Sequence, residues 1–226
     1  PAGFRIISNV FRTCRRSALA MGLPQDLKGV AFLNAWRHKL LDFEPLPVEQ
    51  VAGGPVFENQ MSEDDVDLYR FPTPIWHDMD GGLYIGTGCG VITKDPESGK
   101  VNIGTYRVMI QEKNKVSVKF NKGKHGRLAM ERCHAKGEAL RIAITLGQSP
   151  SVFLSSQMPF PPQVSEYEVA GWLQGFPVAV VRGAVTGLPI PANGEVVLEG
   201  DIPPQRLEDL PKEGPFGEWP GYYTDA

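Results

Sequence analysis

Between residues 82 and 120 the chain runs through three β-branched, partly alternating stretches, "GLYIGTGCGVIT", "KVNIGTYRVMIQ" and "KVSVKF". The turn-rich segments "KDPESGK" and "EKNK" join them. A period of two puts successive side chains on opposite faces of a sheet, and short turns return the chain beside itself. Sequential hairpins of this kind predict an antiparallel sheet or barrel at the centre of the molecule.

Helical patterns surround this block. "NVFRTCRRSALAMGLP" carries apolar residues at helical spacing and stops at Gly22 and Pro24, and "QDLKGVAFLNAWRHKLL" repeats the pattern. Arginines 5, 12, 15 and 16 read as a solvated helix face or as a phosphate-binding one. From "LPVEQVAGGPVFE" onward, Pro and Gly break the helical period. "HGRLAMERCHAKGE" predicts an amphipathic helix and "LRIAITLG" a buried strand. "SEYEVAGWLQG" predicts a helix opened by Ser165 and closed by Gly175, and "FPVAVVRG" and "GEVVLEGDI" return to strand. No internal repeat or low-complexity linker interrupts the order. The fold class expected is α+β, with a barrel-like antiparallel core and flanking helices, preceded by a helical piece.

Composition narrows the function classes. With 42% hydrophobic and 22% charged residues among 226, the chain can bury a sizeable core. Its 25 Gly and 20 Pro make it turn-rich, yet below the roughly 25–30% that signals disorder. A net charge of -3 supplies no field for nucleic acid or an anionic membrane. No apolar run approaches the ~20 residues of a membrane helix. Cys14, Cys89 and Cys133 are odd in number and lack a CxxC pair, which argues against a disulfide framework or zinc site and for a reducing cytoplasm. The start at "PAGF", without Met, suggests processing or excision from something longer.

Several segments carry candidate chemistry. "GTGCG" (86–90) lacks the full GxGxxG pattern and feeds a strand, so a dinucleotide fold is not expected, although its glycines allow close backbone approach to a ligand. "NKGKHGR" gathers Lys122, Lys124, His125 and Arg127 where a helix begins, as an anion site or as a solvated basic turn. "VNIGTYR" places Asn102 and Arg107 five apart on one expected strand, facing opposite sides. Glu166 falls in a first helical turn, as a dipole-favoured cap or a hard-cation ligand. In "KEGPFGEW", Glu213 and Glu218 flank Gly-Pro-Phe-Gly, a run that neither a helix interior nor a central strand accepts. That step spans at most about 17 Å extended and its glycines can bend it far shorter. The two acids are then either solvated loop charges or a convergent pair whose repulsion raises one pKa.

The order of these blocks is more specific than any one of them. "DVDLYRFPTPIWHDMDGGLYIGTG", "NIGTYR", "GKHG", "SSQMPFP", "SEYEVAGWLQG", "EVVLEGDI" and "EGPFGEWPGYY" closely resemble the UbiD-type reversible decarboxylases, which use prenylated FMN. The likeness runs from about residue 45 to the end. It implies a helical remnant over 1–44 and a flavin-binding split-barrel domain over 45–226, with the family's C-terminal α/β domain absent.

The resemblance also implies roles. Asn102, His125 and Glu166 match the family's ligands for manganese (or magnesium), which clamps the flavin phosphate. Ser155, Ser156 and Met158 match the potassium site. Thr87, Gly104, Tyr106, Arg107, Ser156 and Met158 match flavin contacts, and Lys124 stands where some relatives carry Gln. Arg107, Glu213 and Glu218 match the catalytic Arg–Glu–Glu network, with Glu218 as proton donor. The activity implied is non-oxidative, reversible decarboxylation of an aromatic or α,β-unsaturated acid through a covalent adduct with prenylated FMN (or FMN). The partners implied are the acid, CO2, a flavin prenyltransferase as supplier, and a second copy or partner subunit. Two other readings stand beside it: a non-catalytic flavin-binding or assembly subunit, and an unrelated split-barrel flavin oxidoreductase. The last lacks the paired acids and the Asn–His–Glu set.

Overall fold

The "DPESGK" turn closes on its own aspartate. Asp95 accepts the backbone N–H groups of Glu97 (2.8 Å) and Ser98 (2.9 Å), an Asx arrangement that reverses the chain without help from the rest of the fold. It joins β3 (Gly90–Lys94) to β4 (Val101–Gly104), which pair antiparallel with Thr93 opposite Asn102. The computed structural model describes residues 3–160, 163–204 and 213–224. β7 (Leu140–Leu146) and β10 (Val196–Ile202) extend this hairpin into a four-stranded sheet of order β10-β7-β3-β4.

Three further sheets complete the strand content of the described residues. β2 (Tyr84–Gly86), β5 (Val108–Glu112) and β6 (Lys115–Val118) form an antiparallel meander of order β2-β5-β6. β1 (Glu49–Gln50) lies parallel to β8 (Ala179–Arg182), which pairs antiparallel with β9 (Pro189–Pro191). β11 (Phe216–Gly217) and β12 (Tyr223–Thr224) make a small hairpin. The core is therefore antiparallel and α+β, as expected, but its strands divide among separate sheets and do not close into a barrel.

One sequence expectation fails here. "VNIGTYRVMIQ" is not one strand: β4 ends at Gly104, and β5 begins at Val108 in a different sheet. Asn102 and Arg107 therefore do not face opposite sides of one element. Thr105, Tyr106 and Arg107 carry the chain from sheet to sheet. The Tyr106 ring folds back over Gly104, where a Cβ would collide with it, and packs edge-on to Phe120 at 4.7 Å.

The sheets are held by two apolar layers. β7 alternates as its period demands: Leu140, Ile142 and Ile144 join Val91, Val108, Phe120 and Met130 on one side, and Ala143 joins Ile92, Tyr167, Val180 and Ile190 on the other. The first layer lies under α3 (His125–Ala135), and the second under α4 (Pro150–Ser155) and α5 (Glu166–Gln174). α4 was not expected, although Ser149 caps it and Pro150 occupies its first turn, both readable signals.

A third cluster seats the N-terminal helices, α1 (Cys14–Ala20) and α2 (Gly29–Leu41). Trp36 and Phe43 pack on Trp172 of α5, and Lys39 Nζ donates to the Leu173 carbonyl at 3.1 Å, where a helix C-terminus favours a cation. No helix among the described residues is long and apolar enough to cross a membrane.

α5 has the caps that its sequence promised. Ser165 accepts from the backbone of the first turn, Glu168 returns a bond to the Ser165 N–H at 2.8 Å, and Gly175 closes the helix in a left-handed conformation (φ 84°). Ser165→Ala is expected to cost about 1 kcal/mol of stability, measurable by urea denaturation. The same box bears on Glu166. Glu168 does the capping, which leaves the Glu166 carboxylate free to reach elsewhere.

Candidate active site

Arg107 emerges at the start of β5 and meets both acids of "EGPFGEW", residues 213–219; Lys212, which precedes them in "KEGPFGEW", lies outside the described residues. Its Nε is 2.9 Å from Glu213 Oε1 and its Nη2 is 3.5 Å from Glu213 Oε2. Its Nη1 donates to Glu218 Oε1 and to Thr224 Oγ1, each at 2.8 Å. Phe216, between the acids in sequence, lies under the guanidinium with 4.9 Å from Cζ to ring centroid. The two glutamates converge, as one of the open readings held.

They converge on a cation, and this changes the electrostatics expected of them. Burial, not repulsion by Glu218, is the main influence raising the Glu213 pKa above 4.5, and Arg107 and Lys119 oppose it. The Glu213 side chain is only 5% exposed. No N–H of Arg107 points at its Oε1, which is buried without a hydrogen bond. Because the folded-state pKa is raised, the native state binds more protons than the unfolded state between 4.5 and that raised value. Glu213's contribution to stability is thus greatest below pH 4.5 and is lost as pH rises through the folded value. Glu213→Gln is therefore expected to gain stability relative to the parent as pH increases from 4 toward 7, measured by denaturation at a series of pH values. A parent that gains on the variant over that range would contradict it.

A second loop clamps this segment. Asp80 Oδ1 accepts the Gly217 N–H at 2.8 Å, while its Oδ2 accepts that of His77 at 2.9 Å. The His77 ring stands edge-on to Phe216 at 5.6 Å and to Tyr223 at 6.4 Å. Gly81 N–H donates to Pro215 O at 2.8 Å, and Tyr84 O–H donates to Gly214 O at 2.6 Å. Burial and the Glu213 charge push the Tyr84 phenol up, so it acts as a donor and not as an acid. His77, Asp80, Tyr84, Lys119 and Thr224 were not singled out from sequence. "DMDGG" carried the only local signal, since adjacent glycines mark a place where another backbone comes close.

The second trio lies on the four-stranded sheet. Asn102 projects from β4 toward the first residue of α3, and its Oδ1 lies 3.1 Å from His125 Nδ1. Asn102 Nδ2 is buried without a partner. Glu166, released from capping, accepts the Ile103 N–H at 3.0 Å. Burial raises its pKa, and the Ile103 N–H together with the charges of Lys100 and His125 pull it back. An amide oxygen, an imidazole and a carboxylate thus gather where β4 passes between two helix N-termini. Among the described residues no group of three His, Cys, Asp or Glu side chains is placed to hold a metal.

The remaining candidates divide. Ser156 Oγ lies 2.8 Å from Thr105 Oγ1, which ties the end of α4 to the crossover between sheets. Thr87 follows β2 and is half-buried, and Met158 packs on the α5 cluster. Tyr106 is buried, its hydroxyl accepting the Gly126 N–H at 3.3 Å inside the first turn of α3. Lys124 is exposed at the N-cap of α3. The expected basic cluster is thinner than read, because Arg127 turns away to Glu131 at 2.6 Å. Cys89 donates to Tyr106 O at 3.1 Å, and burial pushes its thiol up to about 12, which makes it no nucleophile.

Comparison with known proteins gives consistent relatives. The family model UbiD, 3-octaprenyl-4-hydroxybenzoate carboxy-lyase Rift-related domain, matches residues 48–226. A pyrrole-2-carboxylic acid decarboxylase of Pseudomonas aeruginosa is 35% identical over 222 residues, covering 98% of this chain and 44% of the relative. A phenolic acid decarboxylase of Streptomyces sp. is 35% identical over 230 residues, covering 97% and 46%. Among solved structures, the closed form of Sedimentibacter hydroxybenzoicus vanillic acid decarboxylase, ShVdcCD, superposes with a TM-score of 0.85 at 32% identity, over 96% of this chain and 46% of that one. An evolved dimeric form of HmfF from Pelotomaculum thermopropionicum, solved with prFMN, gives 0.80 at 28% identity, over 94% and 48%. The chain spans about half the length of the curated relatives it matches.

Proposed function

The chain belongs to the UbiD family of carboxy-lyases, and from that premise we propose that it is the cofactor-binding portion of a reversible, non-oxidative decarboxylase of aromatic or α,β-unsaturated carboxylic acids. The observation that carries this reading is the bridging of Glu213 and Glu218 by Arg107, a guanidinium between two acids of which one is buried. A fork of this kind recognises a carboxylate in two-point geometry. Glu218, the more exposed partner at 32%, can leave Arg107 to an incoming acid and take up the proton that the reaction later requires.

Prenylated FMN, when bound, supplies the electron sink that an sp2-bound carboxylate needs in order to lose CO2. The residues present fit such a group. Asn102, His125 and Glu166 would hold its phosphate end through manganese or magnesium, with potassium beside Ser155, Ser156 and Met158. Oxygen-rich donors of this kind suit a hard cation better than zinc. Asn102 Oδ1 already lies 3.1 Å from His125 Nδ1, and Asn102 Nδ2 is buried without a partner, so this end of β4 has unused polar capacity. Thr87, Gly104, Tyr106, Lys124, Ser156 and Met158 complete the proposed cradle. Arg107 orients the substrate carboxylate, Phe216 shields the guanidinium from water, and Glu218 returns a proton to the carbon that has lost CO2. In reverse the same groups carboxylate. A flavin prenyltransferase would supply the cofactor.

A second reading keeps the site and removes the turnover: a flavin-binding or assembly subunit that acts with a partner. It is favoured by ShVdcCD, a structural neighbour that was also solved with a truncated ShVdcD. The chain reconstituted with prenylated FMN and manganese is expected to show flavin absorbance, bound metal and CO2 release from hydroxybenzoic acids. Cofactor uptake without CO2 release would select the second reading, and no uptake of either would overturn both.

A further inference from the structure

Arg107 and Lys119 continue the β5–β6 ladder one step beyond its last pair, Val108 opposite Val118, with the Lys119 N–H donating to Arg107 O at 3.1 Å. Residues directly opposite in an antiparallel pair project from the same face, and like charges there destabilise the sheet. Two cations in these positions therefore want an anion between them. Glu213, arriving from a segment about a hundred residues later in the chain, fills that place: its Oε2 is 3.6 Å from Lys119 Nζ and 3.5 Å from Arg107 Nη2. The carboxylate is almost fully buried, while the Lys119 side chain is 29% exposed.

We propose that Lys119 is a positioning residue that holds Glu213 as a carboxylate beneath Arg107, so that the proton of the cluster is carried by Glu218. This deepens the decarboxylase reading and rests on it for its chemical purpose. Counting charges shows what Lys119 adds. Arg107 with Glu213 and Glu218 alone carries a net negative charge, so an incoming acid would meet repulsion. Lys119 brings those three groups to neutrality, and once Glu218 carries the proton the two cations are left facing Glu213 and the substrate carboxylate. The other groups turned toward Glu213 are the Tyr84 hydroxyl from β2, which does not ionise near neutrality, and, beyond Tyr84, the Asp80 carboxylate, already engaged with two backbone N–H groups. Burial drives Glu213 toward the neutral form, and Arg107 and Lys119 oppose that drive.

The test reads Glu213 directly, without turnover. In chain labelled with 13C at the glutamate carboxyl, the Glu213 signal is identified by its loss in Glu213→Gln and then titrated. Lys119→Met is expected to raise its midpoint by about one pH unit, and Lys119→Arg is expected to restore it. Lys115→Met removes the same charge from the exposed end of β6, where Lys115 pairs with Glu112, and should leave the midpoint in place. Lys119→Gln substitutes if the Met variant fails to fold. A midpoint unmoved by loss of Lys119, or moved equally by loss of Lys115, overturns the inference and leaves decarboxylation untouched. In holoprotein that turns over, Lys119→Met should raise KM about tenfold with a smaller change in kcat, and Lys119→Arg should reverse this. No CO2 release by any version, with the midpoint still tracking the charge at 119, would sink the decarboxylase reading and leave the electrostatic role standing.

Discussion

Glu218→Gln is expected to lower decarboxylation by about 10²- to 10⁴-fold, the range that a positioned general acid supplies. Fold and flavin uptake should remain. Gln keeps the length of the side chain and an oxygen to accept from Arg107 Nη1, and it cannot deliver a proton to carbon. The turn that carries residue 218 does not depend on the carboxylate, because its backbone N–H donates to Tyr222 O at 2.8 Å and its carbonyl accepts from Gly221 at 2.9 Å. Exchange of substrate protons with solvent should disappear with turnover, since both use the same group. Circular dichroism and flavin absorbance serve as controls. A variant that still turns over at the parent rate would end the assignment of the proton to Glu218.

Gly81→Ala is expected to cost as much activity by a mechanical route. Gly81 and Gly214 cross with their backbones in contact: a Cβ on Gly214 would sit 2.5 Å from Gly81 Cα, and one on Gly81 closer still to Gly214. Neither side can yield as a flexible side chain would, so the loop holding Asp80 and the segment holding both acids must separate. The local penalty belongs with overpacking, about 1–3 kcal/mol. The larger effect is geometric, because displacing reacting groups by an ångström can cost about a hundredfold in rate. Neither glycine belongs to the apolar layers around Ile92 and Ile142, so the fold should survive with its stability lowered by that amount. Hydrogen exchange of the Gly81 amide, which donates to Pro215 O in the parent, should accelerate sharply. Full activity with a protected Gly81 amide would show that the two backbones have room to spare.

Much of this arrangement was legible before any coordinates, and what escaped did so for physical reasons. Hairpins and caps are local: the Asp95 turn, the Ser165–Glu168 box and the Gly175 stop each depend on residues within a few positions of one another. The crossover at 105–107 left no such mark, because "GTYR" fits a continuing strand as well as a change of sheet. Lys119 and Thr224 were missed because they gain meaning only when segments about a hundred residues apart in sequence meet at Arg107 and Glu213. The electrostatics of the two acids were misjudged for a related reason. Spacing alone suggested repulsion, whereas a guanidinium stands between them and burial raises Glu213 instead. The family likeness did select the residues that gather, while the forces among them had to be read from geometry.

The passage from β4 to β5 has one more implication. Thr105 is pinned to Ser156, the Tyr106 ring is wedged over Gly104 and against Phe120, and Arg107 already grips both acids. These three positions form a ruler with no slack, and its ends are the imidazole–amide pair on one side and the guanidinium on the other. The turns at 95–99 and 112–115 can gain or lose a residue without altering that gauge. A single residue added to the ruler would lengthen it by up to about 3.5 Å, and the two marks would move apart accordingly.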